Sequence, residues 1–276
     1  NWEDNIGKVS SGGTTPIVEG RMMNEYYLRN VYHGNGSYYN ADGSVNPQGG
    51  PKTGMIRTEK DMAWVKDMIA AGYEFQPGKT VAKNKIWYRD YIYADSNNNG
   101  VYGDDNDYTF QKTSNKPKYN FGFQASAAWK GFDLSAIFAY SIGGYIYNRD
   151  ITMILHNGSL EGRDWSTEIL RRWTPENRDT DVPALSTTSN NWNSASTRFL
   201  QNNSYMRLKN LTLSYNLPKQ WISKLSLSSV QVYVQGDNLF TIHRNQGLDP
   251  EQGITGITYY RYPAMRTISG GINVSF

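Results

Sequence analysis

The sequence predicts an all-β fold, about six antiparallel strands of the kind that build a transmembrane β-barrel. Three observations carry this expectation. Segments up to about ten residues long alternate apolar and polar side chains with a period of two. Their polar positions hold Ser, Asn, Gln, Thr and Gly with few Lys or Glu, whereas a sheet face turned to bulk water usually carries more charge. Short and long connections alternate between the segments, an arrangement that a soluble sandwich has no reason to adopt.

Composition agrees. The 276 residues include 21 Tyr; aromatics make up 14% and charged residues only 19%, against about 25% in an ordinary soluble domain. This balance argues against a helical bundle or a doubly wound enzyme, and so many aromatics argue against disorder. A net charge of +3 gives no reason to invoke nucleic acid. With no Cys there is no disulfide framework, thiolate metal site or Cys nucleophile. The opening Asn1-Trp2-Glu3-Asp4 carries neither an initiator Met nor a leader pattern, so a processed chain or the tail of a longer one is expected.

Taken in order, residues 1–16 read as the end of a preceding strand or a periplasmic turn, and Pro16–Tyr32 as the first strand. Residues 34–117 read as one long extracellular loop, too long to lack structure of its own. Within it Thr58-Glu59-Lys60-Asp61 reads as a cap and acidic first turn, Ala63 to Ala71 as a helix, and Gly72 as its stop. Tyr119, Phe121, Phe123, Ala125, Ala127 and Trp129 form one face of the next strand, and a turn at Lys130-Gly131 follows. Phe132, Leu134, Ala136, Phe138 and Tyr140 form the matching face of its partner. A long loop over about 142–202 holds a short helix at Trp165–Trp173. Leu211, Leu213, Tyr215 and Leu217 alternate with polar residues until Pro218, and Val230, Val232 and Val234 do so in the next strand. The last strand carries Ile268, Gly270, Ile272, Val274 and Phe276 on one face. If Phe276 lies in the periplasm, the direction of every strand follows by parity. About six strands cannot close a barrel, so further strands must come from this or another polypeptide.

One local motif suggests metal chemistry. In Asp95-Ser96-Asn97-Asn98-Asn99-Gly100-Val101, oxygen-bearing side chains fall at positions 1, 3 and 5 and Gly at 6, as in an EF-hand loop. Asp95, Asn97 and Asn99, the Val101 carbonyl, and Asp105 or Asp107 are the candidate Ca²⁺ ligands. The closing position falls on Asn106 rather than a bidentate Glu, so weak affinity is expected, and an Asn/Gly turn held by side-chain-to-backbone bonds explains the same residues. Asn191-Trp192-Asn193 and Tyr259-Tyr260-Arg261 combine aromatics with amides or a cation, suiting contact with a substrate or a lid, or packing between loops. Catalysis finds no support: His33, His156 and His243 are isolated, and no nucleophile elbow appears.

Several stretches resemble, in order, the C-terminal region of SusC/RagA-type TonB-dependent outer-membrane transporters of Bacteroidetes. They are Trp129–Ser135, Arg172-Trp173-Thr174-Pro175-Glu176-Asn177, Ser204–Pro218, Val232–Phe240, Gly247-Leu248-Asp249-Pro250-Glu251 and Tyr262–Thr267. The resemblance implies that 17–276 is the C-terminal segment of a 22-stranded barrel. It also implies an internal plug, a SusD-like surface lipoprotein, energy from TonB–ExbB–ExbD, and uptake of oligosaccharides or peptides. Phe276 resembles the terminal signal read by barrel-assembly machinery. The residues themselves leave open a calcium-binding β-sandwich for recognition or adhesion, and a passive pore.

Overall fold

The computed structural model describes residues 13–77, 82–155, 164–186, 191, 194–251, 256–258 and 262–276. In chain order the strands are β1 (Glu25–Arg29), β2 (Glu74–Phe75), β3 (Val101–Tyr102), β4 (Tyr108–Ser114), β5 (Tyr119–Trp129), β6 (Phe132–Ile142), β7 (Tyr145–Tyr147), β8 (Leu200–Asn202), β9 (Tyr205–Asn216), β10 (Ser229–His243) and β11 (Thr267–Ser275). The α-helices are α1 (Glu59–Ala70), α2 (Arg149–Ile154) and α3 (Lys219–Ile222). The chain divides into two units: Asn1–Thr113 with Asn148–Leu200, and Ser114–Tyr147 with Gln201–Phe276.

The second unit is a five-stranded antiparallel sheet in the order β11-β10-β9-β6-β5. Lys130 (φ 47°) and Gly131 (φ 89°) close the β5–β6 hairpin. Positive φ at both central residues is the turn whose twist matches the flanking strands. Side chains directly opposite one another share a face, so the register reads out both surfaces. Phe123 faces Phe138, Leu134 faces Leu213, Leu213 faces Val234 and Val232 faces Ile272. One continuous apolar face therefore crosses all five strands. On the other face Gln231 donates to Ser214, Asn273 donates to Gln231, and Asn210 donates to Asp237.

Among the described residues, no second layer covers the apolar face. Tyr119, Phe123, Leu134, Leu213 and Val274 are between 43% and 62% exposed. A self-contained sandwich would bury such residues between two sheets, so their exposure argues against that alternative. A contiguous apolar face of this extent requires a non-aqueous covering. Among the described residues, no helix is long and apolar enough to cross a membrane, which says nothing about crossing by strands.

One expectation needs correction. The strand expected over Pro16–Tyr32 is the shorter β1, and it pairs with β4 rather than with the five-stranded sheet. Both of its faces are covered: Tyr26 and Leu28 are fully buried, and Glu25 and Arg29 are 2% exposed. A strand buried on both sides has no face to offer lipid. The sheet thus has five strands among the described residues, not six.

The first unit has an aqueous-type core around Trp64. Tyr32 stacks on the Trp64 ring, Phe75 meets it edge-on, and Met62, Val65 and Met68 extend the cluster along α1. Gly50 (φ 76°) passes so close that a Cβ there would lie 2.8 Å from the indole. α1 starts as expected: the Asp61 amide donates to the Thr58 hydroxyl and Asp61 accepts from the Thr58 amide, a complete capping box. Gly72 (φ 95°) follows its end. The helix expected at Trp165–Trp173 is a 3₁₀ segment, Thr167–Arg171, with Ser166 as its cap. The first unit joins 13–113 to 148–200, so the expected loop boundary at 34–117 captures only part of it.

The two faces of the sheet should respond oppositely to charge. Leu134→Arg is expected to destabilise the protein in lipid by about 2–4 kcal/mol, the cost of a cation on a lipid-facing barrel position. Gln231→Lys on the polar face should change stability little. Denaturant titration of both variants in lipid vesicles reads the difference.

Candidate functional site

The loop from Asp95 to Asp107 closes on its own carboxylates and amides. The amides of Asn99 and Gly100 donate to the Asp95 carboxylate at 3.1 and 2.8 Å, and the Val101 amide donates to Asn99 Oδ1 at 2.8 Å. Asn98 (φ 59°) and Gly100 (φ 84°) supply the left-handed residues the turn needs. Asp107 is fully buried and accepts from the amides of Ser96, Gly103 and Asp104. Burial pushes its carboxyl pKa up despite these amides. Asp105 points elsewhere, pairing at 2.8 Å with the buried Arg29. The candidate ligands are thus divided: Asp95, Asn97, Asn99 and Val101 lie on one turn, while Asp105 and Asp107 hold other parts of the unit. Among the described residues no three His, Cys, Asp or Glu groups converge as a metal site.

Asn191 is not a surface contact residue. It is fully buried, its Oδ1 accepts from the Tyr91 amide at 2.6 Å, and its Nδ2 donates to the carbonyls of Pro77 and Tyr91 at 2.6 and 2.8 Å. The Tyr93 hydroxyl donates to the Asn191 carbonyl. This corrects its expected contact with substrate or lid: the side chain is consumed in clamping two distant parts of the first unit. Trp192, Asn193, Tyr259, Tyr260, Arg261 and His156 lie outside the described residues. Phe276 is 92% exposed just beyond β11. Of the other histidines, His33 Nδ1 bonds the Lys52 carbonyl and His243 Nδ1 the Asn245 carbonyl.

The most tightly built polar cluster went unnoticed in the sequence. Arg207 and Lys209, both in β9, are the Lys or Arg residues of the five-stranded sheet. Arg207 is 2% exposed, and its guanidinium donates to Thr241 Oγ1 at 2.9 Å, to Glu251 at 2.6 Å and to Asp249. Lys209 and the Tyr205 hydroxyl also reach Glu251. Asp249 accepts in turn from the amides of Glu251 and Ala264. Burial alone would raise the Asp249 carboxyl, but the two amides and the Arg207 guanidinium outweigh it and hold it below its ordinary 3.8. The cluster pins the connection between β10 and β11 against the polar face of β9 and β10. The available signal was Arg207 and Lys209, two cations two residues apart in a sheet otherwise without them, together with two acids two residues apart in Gly247–Glu251.

This pinning should depend on acid. A carboxylate whose folded pKa is depressed contributes stability that is complete above its unfolded value and is lost as pH falls through the folded value. Hydrogen exchange at Glu251 and Ala264 is expected to stay slow from neutrality down to about pH 4 and to speed up progressively below it. Asp249→Asn should flatten that profile. Arg207→Ala, which leaves the buried Asp249 without its cation while Glu251 keeps Lys209, should loosen the connection by about 3 kcal/mol at neutral pH.

No family model matches the chain. TonB-dependent receptor P3 of Formosa agariphila is 33% identical over 171 residues, covering 58% of this chain and 16% of that protein. TonB-dependent receptor SusC of Bacteroides thetaiotaomicron is 26% identical over 186 residues, covering 67% of this chain and 17% of that protein. A structure of the RagAB peptide importer in an open-open state superposes with a TM-score of 0.59 at 30% identity, over 67% of this chain and 20% of that one. The match therefore spans less than a fifth of the length of these two receptors and a fifth of the importer chain.

Proposed function

Because the chain belongs to the SusC/RagA-type TonB-dependent transporters, we propose that it supplies barrel wall and outer loops to an importer of peptides or oligosaccharides in a bacterial outer membrane. The observation that carries the reading is the two-faced sheet. Its exposed apolar side suits acyl chains, and its amide- and hydroxyl-bearing side suits a water-filled interior. The strand edges β5 and β11 are open to further strands, in keeping with a 22-stranded barrel completed by the rest of a longer polypeptide that also holds a plug. In this proposal Phe276 lies in the periplasm as the assembly signal, the long loops are extracellular, a SusD-like lipoprotein serves as lid, and TonB–ExbB–ExbD provides energy. The RagAB neighbour is a peptide importer, which favours peptides among the two substrate classes. No enzymatic step is part of the proposal.

Uptake of a labelled oligopeptide by cells carrying the assembled transporter tests it. Uptake is expected to stop when the proton-motive force is collapsed or TonB is deleted. Uptake that continues unchanged would make the protein a passive pore.

Calcium binding at Asp95, Asn97, Asn99 and Val101, with Asp105 or Asp107 closing the site, belongs to the proposal as an addition to a loop that already closes on its own hydrogen bonds. Titration calorimetry with CaCl₂ is expected to give weak binding that is lost in Asp95→Ala. Chelation should leave the melting temperature within about 2 °C, less than the shift that 1 kcal/mol would produce in a domain of this size.

A further inference from the structure

Beside the Arg207 cluster lies an open cavity of about 340 Å³. Its charged wall is uneven. Arg207 has its donors committed to Thr241, Asp249 and Glu251, so that cation and its acids satisfy one another. Arg266, which also lines the cavity, makes no ion pair or hydrogen bond among the described residues. Asn238, held at φ 52° in the irregular part of β10, donates one amide hydrogen to the Met265 carbonyl and keeps the other. The rest of the lining is mixed, with His243 beside Phe240, Leu248 and Pro263, and Leu248 is 75% exposed.

An uncommitted guanidinium in the same lining as a free amide hydrogen matches a carboxylate, because the planar fork of Arg engages both oxygens. Leu248 and Pro263 in that lining would cover a hydrocarbon side chain beside the carboxylate, where a sugar acid would present hydroxyls instead. We propose that this cavity is a subsite for the C-terminal carboxylate of a short peptide whose last residue is apolar. The proposal rests on the import reading and narrows its substrate to peptides with a free acid end.

The test uses the assembled transporter in lipid nanodiscs and the tetrapeptide Ala-Ala-Ala-Leu as free acid and as C-terminal amide, with binding followed by calorimetry. The acid is expected to bind about tenfold more tightly than the amide, the weight of one charge-assisted pair. Arg266→Gln should bring the ratio close to one without changing the melting temperature, and Arg266→Lys should restore part of it. Equal binding of acid and amide by the unaltered protein would overturn the proposal, as would an Arg266→Gln variant that keeps the preference. A glucuronate oligosaccharide that displaces the acid peptide as well as the peptide displaces itself would also overturn it. Uptake separates this failure from failure of the import reading. If energised uptake persists while acid and amide enter equally in both proteins, only the subsite falls. If acid-selective binding persists without energised uptake, only the import reading falls.

Discussion

Everything in the second unit depends on one constraint: successive side chains of a strand point to opposite faces, while the backbone between them must find its hydrogen bonds within the sheet. β5, β6, β9, β10 and β11 satisfy it by pairing in an unbroken antiparallel ladder. Because residues opposite one another share a face, a single register error would turn a row of Phe, Leu and Val toward the amide side. The hairpin turn at Lys130-Gly131 and the irregular pairing between Asp237 and Phe240 both act on this register. The first sets it for β5 and β6, and the second inserts extra residues in β10 where β9 also steps.

The two units solve the problem of burial by different means. The first places Trp64, Met68 and Phe75 inside and closes its long irregular segments with side-chain oxygens. Asp61, Asp95, Asp107 and Asn191 each accept backbone amides that no strand or helix satisfies. The second unit leaves its large apolar residues outside and gathers its polar groups on the other side. The tightly buried ion cluster around Arg207 sits on that polar side, where the Thr241 hydroxyl and two acids accept from all three guanidinium nitrogens. Buried acids of the first unit such as Asp61 and Asp107 therefore accept backbone amides, while the buried Asp249 of the second unit is a counter-ion.

Legibility followed sequence distance. The sheet strands were readable because a period of two is written into consecutive residues, and α1 because its cap, periodicity and stop all lie within Thr58 to Gly72. β1 was misread because Pro16–Tyr32 was assigned from its place in the order of strands, which does not say whether a strand joins the large sheet; the pairing with β4 and the buried Glu25 and Arg29 settle that. Asn191 was singled out for its aromatic neighbour in sequence, yet its role is set by Tyr91 and Tyr93, about a hundred residues earlier. The Arg207 cluster was invisible for the same reason: its acids lie 42 and 44 residues away. The Asp95–Gly100 turn was legible as a turn. Its hydrogen bonds show why such a motif is ambiguous, since the oxygens that would ligate an ion also serve the loop's own amides.

The Asn191 clamp has a consequence for the order of assembly. The first unit consists of two stretches, 1–113 and 148–200, with the β5–β6 hairpin between them in the chain. Pro77 and Tyr91 cannot receive their partner until synthesis has passed that hairpin and produced residue 191. A ribosome-bound or partly exported intermediate therefore carries an unfinished domain with exposed carbonyls, and only later chain completes it. Such long-range closure slows maturation, and it gives chaperones a defined interval in which the aromatic interior is still accessible.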